Sequence, residues 1–203
     1  MTVKYRRGFA TTVLLLAAAG WVACSSSDST GTDSTPPVLS VPMIDLALLT
    51  DFLPFGADLG GHTSPTYELY TSLDTVTVHA VTAGIVERIF HNEAPNTDYE
   101  ILIRLTNQSI YRIDYDHVRS VQVSVGQAVT AGQAIGQIGP FSDAGGHRNG
   151  RVELQINRGN DAGTLAFCPR DFGTAEFNAA YAAAFSRFPV RGTSICIVDT
   201  VTP

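Results

Sequence analysis

Four polar residues alternate with three apolar ones at positions 151–157, in the order Arg-Val-Glu-Leu-Gln-Ile-Asn. In a β-strand, alternate side chains point to opposite faces, so Arg151, Glu153 and Gln155 would share one face. A carboxylate there can bind a divalent cation, whereas a guanidinium neither ligates a metal nor gives up its proton near neutral pH. This polar row predicts either a binding or catalytic surface or the solvent-facing side of an antiparallel strand.

The residues before this row indicate the fold that must position it. Positions 121–139 read V-Q-V-S-V-G-Q-A-V-T-A-G-Q-A-I-G-Q-I-G, in which Val and Ile alternate with small polar residues. Glycine recurs at 126, 132, 136 and 139, where short strands must turn or pack tightly. The pattern predicts β structure with tight corners.

Apolar residues elsewhere predict further strands and two helices. We expect strands near 75–80, 84–90, 99–105, 109–115, 134–138 and 151–157, and a short helix at 43–50. A second helix should follow Thr174, a favoured N-cap residue, and bury a stripe formed by Phe177, Tyr181 and Phe185. The predicted fold class is all-β, an antiparallel sheet with a C-terminal helix.

Three motifs carry a resemblance to a known family. The segment at 123–136, V-x-V-G-Q-x-V-x-A-G-Q-x-I-G, resembles the core of LytM and lysostaphin peptidoglycan metallopeptidases, a duplicated hybrid motif also found in lipoyl and biotinyl carriers. V-H-A-V-T-A-G-I-V at 78–86 is similar to a strand pair of the peptidases, and Y-D-H-V at 115–118 to their Tyr-x-His. The resemblance covers roughly residues 55–157 and implies a barrel-sandwich hybrid core of the LytM type.

The resemblance also implies a set of site residues. The catalytic relatives bind zinc through a His-x3-Asp pair and the second His of His-x-His. Within 61–70 this chain offers His62 and Glu68, and in the His-x-His strand Arg151 and Glu153 take the two positions. His117 matches the His of Tyr-x-His, which assists water attack in the relatives.

Arg151 decides what this set is expected to do. A guanidinium and a divalent cation repel each other, so Arg151 should take the place of the metal and pair with Glu153 or Glu68. The zinc site is therefore predicted to be degenerate, and no cofactor is expected. If Glu68, Glu153 and His62 do hold zinc or another divalent ion, their carboxylates favour a harder ion that binds more weakly.

The N-terminus predicts export. Residues 1–23 combine three basic residues with an apolar run, which is typical of a secretory signal. Ala23-Cys24 resembles the cleavage box of bacterial lipoproteins, which implies lipid on Cys24; the alternatives are an uncleaved anchor or an ordinary signal peptide. Residues 24–40 are predicted to be a disordered tether, because 25–37 hold almost no apolar residues, and 41–203 one folded domain.

Composition limits the location and the partners. The formal net charge is −6, and removal of residues 1–23 would take away three basic residues and no acid. Nucleic acid is therefore excluded as a partner, and the membrane would be reached through the lipid alone. Among lipoproteins an Asp after the first mature residue marks inner-membrane retention. This chain has serine there and no Asp, so we expect the outer membrane if the cell is Gram-negative.

The remaining cysteines, Cys168 and Cys196, form an even pair in an oxidising compartment, so we expect a disulfide. It would close a loop of about 27 residues and stabilise the fold by roughly 3 to 4 kcal/mol. The alternative is two buried free thiols.

Three functions follow as hypotheses. The favoured one is a non-catalytic LytM-like module in the cell envelope. It would bind peptidoglycan through Arg151, Glu153 and Gln155, in the groove that holds the substrate in the catalytic relatives, or it would regulate a wall enzyme. The second is an active metallo-endopeptidase with a substituted metal site that cleaves peptidoglycan cross-links. The third is a structural or adaptor barrel related to carrier domains, although no lysine stands in an attachment hairpin.

Overall fold

The computed structural model describes residues 31–92, 98–142, 148–159 and 164–203. The predicted signal peptide, the lipidation residue Cys24 and the first part of the predicted tether lie outside these ranges. Within them, no helix combines the length and the apolar character that a membrane span requires.

The described residues form one large antiparallel sheet with a single α-helix. The strands are β1 Leu49–Leu53, β2 Tyr67–Thr71, β3 Thr77–His79, β4 Gly84–His91, β5 Tyr99–Arg104, β6 Tyr111–Arg119, β7 Ala128–Val129, β8 Ala134–Ser142, β9 Arg148–Arg158, β10 Leu165–Phe167 and β11 Thr200–Val201. The helix α1 spans Ala175–Phe185. The predicted all-β class with a C-terminal helix is confirmed.

Strand β9 is the centre of the sheet. It pairs with β2, β6, β8 and β10, and the main strand order is β1-β2-β9-β8-β6-β5-β4-β7. Val152, Leu154 and Ile156 of β9 are fully buried in the core, as their alternation predicts. The polar row of β9 therefore lies on the opposite face of the sheet.

Helix α1 closes the core at one edge of the sheet. Thr174 caps it, because its hydroxyl accepts a hydrogen bond from the Phe177 amide at 3.2 Å. Phe177, Tyr181 and Phe185 are buried, and the rings of Tyr181 and Phe185 pack edge-on against Phe52 of β1 at 6.0 and 5.2 Å. The predicted aromatic stripe is confirmed as a packing surface.

The helix predicted at 43–50 is wrong in most of its length. Only Leu46–Leu48 form a turn of 3-10 helix, and β1 begins at Leu49. The segment has too few residues to sustain a helix, and pairing of β1 with β2 satisfies its backbone. This pairing is non-local, so the local pattern did not reveal it.

The ordered chain begins before the predicted boundary at residue 41. The backbone N–H of Asp33 donates a hydrogen bond to the Gln108 carbonyl at 2.8 Å. Leu39 is fully buried, and its backbone N–H donates a hydrogen bond to the Phe172 carbonyl at 2.9 Å. The C-terminal segment is tied back as predicted, because a disulfide joins Cys168 and Cys196.

Candidate functional site

The register of β9 with its neighbours brings three acidic residues into one row across the sheet. Glu153 lies opposite Glu68 of β2 on one side and opposite Asp116 of β6 on the other. Arg151, two residues before Glu153, lies opposite Tyr70. Directly opposed side chains on one face are close enough to interact, so these five residues form the centre of the candidate site.

Glu68 is enclosed by hydroxyl groups. Its side chain is buried, and its carboxylate accepts hydrogen bonds from Ser64 at 3.1 Å and from Tyr70 at 2.7 Å. Burial, followed by the negative charge of Glu153, raises the pKa of Glu68 above its usual value. Burial and the facing carboxylate thus both favour the protonated form of Glu68 over its ionised form.

Glu153 behaves in the opposite way. Burial opposes its ionisation, but the hydrogen bond and charge of His117, the charge of Arg151 and the hydroxyl of Thr66 outweigh burial and lower the pKa of Glu153. The Thr66 hydroxyl donates to Glu153 at 3.1 Å, and His117 Nε2 lies 3.4 Å from the other carboxylate oxygen. The pKa values of the two facing glutamates are therefore shifted in opposite directions.

His117 is aimed into the site by an unusual backbone. Its φ is 58°, in the left-handed region that residues with a Cβ rarely adopt, at the end of β6. Gly139 of β8 lies against this backbone, since a Cβ there would come within 2.6 Å of the His117 carbonyl oxygen. The glycine predicted to pack tightly at 139 thus permits the position of His117.

The His117 ring lies among carboxylates. Nδ1 lies 2.9 Å from Asp98 Oδ2, and Nε2 lies 3.7 Å from Asp116 Oδ2. Burial alone would lower the pKa of His117, but the hydrogen bonds to Asp98 and Glu153 and the charge of Asp116 raise it to about 9. The imidazolium form donates to Asp98 and Glu153.

Arg151 points at the same ring nitrogen. Its Nη2 contacts His117 Nε2, its Nε lies 3.7 Å from Glu153 Oε1, and its guanidinium stacks on the Phe141 ring at 5.3 Å. Since guanidinium only donates, its hydrogen bond to Nε2 requires the neutral imidazole with the proton on Nδ1. Arg151 and Glu153 therefore compete for His117 according to its protonation.

The donors present do not make the zinc site of the relatives. Both oxygens of Glu68 and both of Glu153 already have partners among protein groups, and a guanidinium stands beside Glu153. Among the residues that the structure describes, the His and acidic side chains whose ligand atoms lie within 4.8 Å of one another are Asp98, Asp116 and His117. These three residues could hold a hard cation, but the guanidinium of Arg151 contacts the imidazole of His117.

The other sequence-predicted residues lie around this centre. His62 is exposed on the turn at 58–63, outside that group. Gln155 lies farther along β9 and donates to Asn157 at 2.6 Å, and Asn157 in turn donates to the buried carboxyl of Asp114. The polar row thus continues away from Arg151 as a hydrogen-bonded chain.

Sequence reasoning missed several members of the site. Asp98 and Asp116 contact His117, and Ser64, Thr66 and Tyr70 contact the two glutamates. Tyr70 shares the alternation of β2 with Glu68, which is a signal that could have been used. Asp98 has no local signal, because its contact with His117 depends on the pairing of β5 with β6.

Comparison with known proteins finds one matching family model and several similar folds. The model of peptidase family M23 matches residues 67–162, and a search of curated protein sequences finds no match. The antimicrobial peptidase lysostaphin from Staphylococcus simulans superposes with a TM-score of 0.50 at 19% identity, over 70% of this chain and 53% of that chain.

A second solved structure has a similar fold. The SpoIIQ–SpoIIIAH pore-forming complex aligns with a TM-score of 0.50 at 17% identity, over 68% of this chain and 92% of that chain. The chain covers only about half of the length of the lysostaphin chains that it matches. Residues 67–162 of this chain therefore match the model of peptidase family M23, and the described residues have a fold similar to that of lysostaphin.

Proposed function

We propose that this M23 domain is a non-catalytic module of the cell envelope that binds peptidoglycan, or regulates a wall enzyme, through the polar face around Arg151. One observation carries the proposal. The guanidinium of Arg151 contacts His117 and lies 3.7 Å from Glu153, on the strand that the resemblance matches to the His-x-His strand of the zinc-binding relatives. A fixed cation among these groups supplies the positive charge that a divalent ion would otherwise bring.

The hydrogen bonding of the acids supports this proposal. Glu68 is held by two hydroxyl donors, and Glu153 by a hydroxyl and an imidazole. A metal would have to displace these donors and also overcome the repulsion of Arg151. The donor set fits an ion-pair network better than a high-affinity zinc centre, so we derive no reaction step through zinc.

The face retains groups suited to binding a peptide. Asp116 is partly exposed and offers acceptors, whereas the exposed edge of Arg151 offers donors for carbonyl or carboxylate oxygens. Lysostaphin, which shares the fold, is a peptidase, and SpoIIQ is part of a complex with another protein. Lysostaphin is thus a precedent for the peptide ligand of the proposal, and SpoIIQ is a precedent for its protein partner.

Sedimentation with insoluble peptidoglycan tests the proposal. We expect the native protein to sediment with the wall material and to release no soluble peptides, with or without added zinc. Arg151→Ala and Glu153→Gln should weaken sedimentation, and Arg170→Ala, which breaks an exposed ion pair with Asp171, should not. Metal-dependent release of wall peptides would contradict the proposal.

A second candidate function is an active metallo-endopeptidase with a different ligand set. The observation that favours it is the group of Asp98, Asp116 and His117, which could hold zinc or another divalent ion. This candidate predicts metal-dependent wall digestion that Asp98→Asn abolishes. No digestion by the metal-supplemented native protein would exclude it.

We also propose that the chain is a lipoprotein of the envelope, in the outer membrane of a Gram-negative cell. The support is the basic and apolar N-terminus followed by Ala23-Cys24. Acyl chains supply most of the membrane affinity of such an anchor, so Cys24→Ser should move the protein from the membrane fraction to the soluble envelope fraction. An unchanged distribution would exclude lipid anchoring at Cys24.

A further inference from the structure

We propose that a pocket beside the candidate site binds the zwitterionic end of an α-amino acid carried on a peptide. The pocket has a volume of about 280 Å³. Its lining consists of Thr50, Asp51, Tyr70, Phe141, Asn149 and Arg191. This inference rests on the proposed peptide-binding function and names the chemical group that the site would recognise.

An ion pair forms one side of the pocket. Arg191 Nε donates to Asp51 Oδ1 at 3.0 Å, and Arg191 Nη2 donates to Asp51 Oδ2. The two side chains keep 39% and 30% of their surface exposed, so a ligand can reach both charges. Among the described residues none accepts a hydrogen bond from Arg191 Nη1, which leaves an edge of the guanidinium for an anion.

Two aromatic rings form another side. Tyr70 and Phe141 meet edge to face at 5.3 Å. Both rings also belong to the candidate site, since the Tyr70 hydroxyl donates to Glu68 and Arg151 stacks on Phe141. The pocket and the site thus share a wall, and a peptide lying along Arg151 could place a side branch in the pocket.

The charged side of the pocket comes from parts of the chain outside the family match. Asp51 belongs to β1 and Arg191 to the 3-10 turn Pro189–Arg191, whereas the family match covers 67–162. The aromatic side comes from within that match. The pocket is therefore an addition of this chain to the M23 core.

The chemistry of the lining selects the ligand. The Asp51–Arg191 pair is neutral as a unit, so a ligand with a single charge would leave one of the two partners facing a like charge. A zwitterion places its carboxylate on Arg191 and its ammonium on Asp51, whose oxygens can each accept more than one hydrogen bond. The Asn149 amide adds a polar contact, and Tyr70 and Phe141 cover an aliphatic stem.

Titration with Nε-acetyl-lysine, which has an aliphatic stem and a free α-amino acid end, tests the pocket. We expect calorimetric binding to the native protein. The Nα-acetylated probe and the α-carboxamide probe should each bind about tenfold more weakly or worse, because each lacks one charge. Arg191→Met and Asp51→Asn should lose affinity to a similar degree.

Matched variants separate recognition from folding. Arg170→Met removes an ion pair of similar exposure, 42% and 41%, and should leave the affinity unchanged. Asn149→Ala leaves the Asp51–Arg191 pair intact and should still weaken binding. Absence of binding to the native protein, equal binding of the singly charged probes, or full affinity in folded Arg191→Met would overturn the inference.

The same proteins distinguish this inference from the proposed function. Native protein that sediments with peptidoglycan but ignores the zwitterionic probe would overturn the pocket and leave the function. Native protein that binds the probe but not the wall or a wall enzyme would sink the proposed function and leave the pocket as a site for free amino acids or other peptides.

Discussion

Arg151 is the residue on which the chemistry of the polar face depends. It is the nearest positive charge to Glu153 other than His117, and it contacts the imidazole that the family resemblance marks as functional. Under the proposed function, this side chain, which neither ligates a metal nor deprotonates near neutral pH, takes the place of a bound cation. Replacing this one residue is therefore the most informative change.

We predict that Arg151→His raises the affinity for divalent zinc by at least about tenfold, equivalent to roughly 1.4 kcal/mol. The substitution removes the repulsion and returns a nitrogen ligand beside Glu153. Calorimetric titration of zinc into both proteins measures the change. Arg158→His is the matched control, because Arg158 lies on the same strand and also stacks on a phenylalanine, Phe167 at 5.0 Å.

We predict that Arg151→Ala destabilises the fold by about 1 to 2 kcal/mol, because Glu153 then loses a partner while it still faces Glu68 across the strands. Urea unfolding at neutral pH measures the loss, with Arg158→Ala as the control. Unchanged stability in Arg151→Ala would show that the guanidinium does not hold the two glutamates together.

At this scale the sequence predicts the residues of single strands but not their contacts. Arg151 and Glu153 follow from alternation along β9, and His117 follows from its motif. Their meeting with Asp98 and Tyr70 requires the registers of β6 with β5 and of β9 with β2. A shift of one residue in either pairing would turn those side chains to the other face, and no local pattern fixes the shift.

Among the elements, β4, β5 and β6 are tied together on the polar face by Glu87. Its carboxylate accepts from Arg104 of β5 and from Arg112 of β6, the latter at 3.0 Å. Burial opposes its ionisation, but the hydrogen bond of Arg104 and the charge of Arg112 outweigh burial and lower the pKa of Glu87. A carboxyl with a lowered pKa in the folded state stabilises the protein above its unfolded pKa and loses that effect as the pH falls through the folded value.

We therefore predict that Glu87→Gln costs about 1 to 2 kcal/mol at pH 7 and less at an acidic pH, because the ion pairs are lost as the pH falls through the lowered pKa of the native carboxyl. Urea unfolding of both proteins at the two pH values measures the difference. Asp199→Asn, at an exposed position near the C-terminus, should show little effect at either pH. A Glu87→Gln deficit that is equal at both pH values would contradict the assigned ion pairs.

Strands and helices could be predicted where apolar residues recur at a regular spacing within the element itself. Strands β4, β5 and β9 and helix α1 lie where alternation and a four-residue period predict them. The segment at 43–50 failed, because Leu46 and Leu49 fit a helix as well as a strand edge, and partner β2 decides between them. Short β10 and β11 depend on tertiary pairing and were not predicted.

For the whole molecule, the segment that follows the family match is held by the Cys168–Cys196 disulfide. It encloses α1 and the turn that carries Arg191, and the Tyr67 hydroxyl lies 3.4 Å from each sulfur atom. The pairing was predicted from the two cysteines that remain once Cys24 is assigned to the expected lipid anchor. The packing beneath it was not, because Tyr67 belongs to β2, about a hundred residues earlier in the chain.

We predict that Cys168→Ser with Cys196→Ser lowers the free energy of unfolding by about 2 to 4 kcal/mol, since the bridge restricts the unfolded chain. Denaturant unfolding with and without reductant measures the loss. Reductant should destabilise the native protein and leave the double variant unchanged. Mass spectrometry of unreduced peptides should find the two cysteines linked, and free thiols in envelope-purified protein would contradict the account.

The most direct test of the central claim is elemental analysis of the native protein, purified without chelator, together with a wall-digestion assay on the same preparation. Because Arg151 and the hydroxyl donors already satisfy Glu68 and Glu153, we predict zinc well below one ion per chain and no release of wall peptides. One tightly held zinc ion per chain, accompanied by cleavage of wall peptides, would show that Arg151 does not exclude the metal and that the domain is an enzyme.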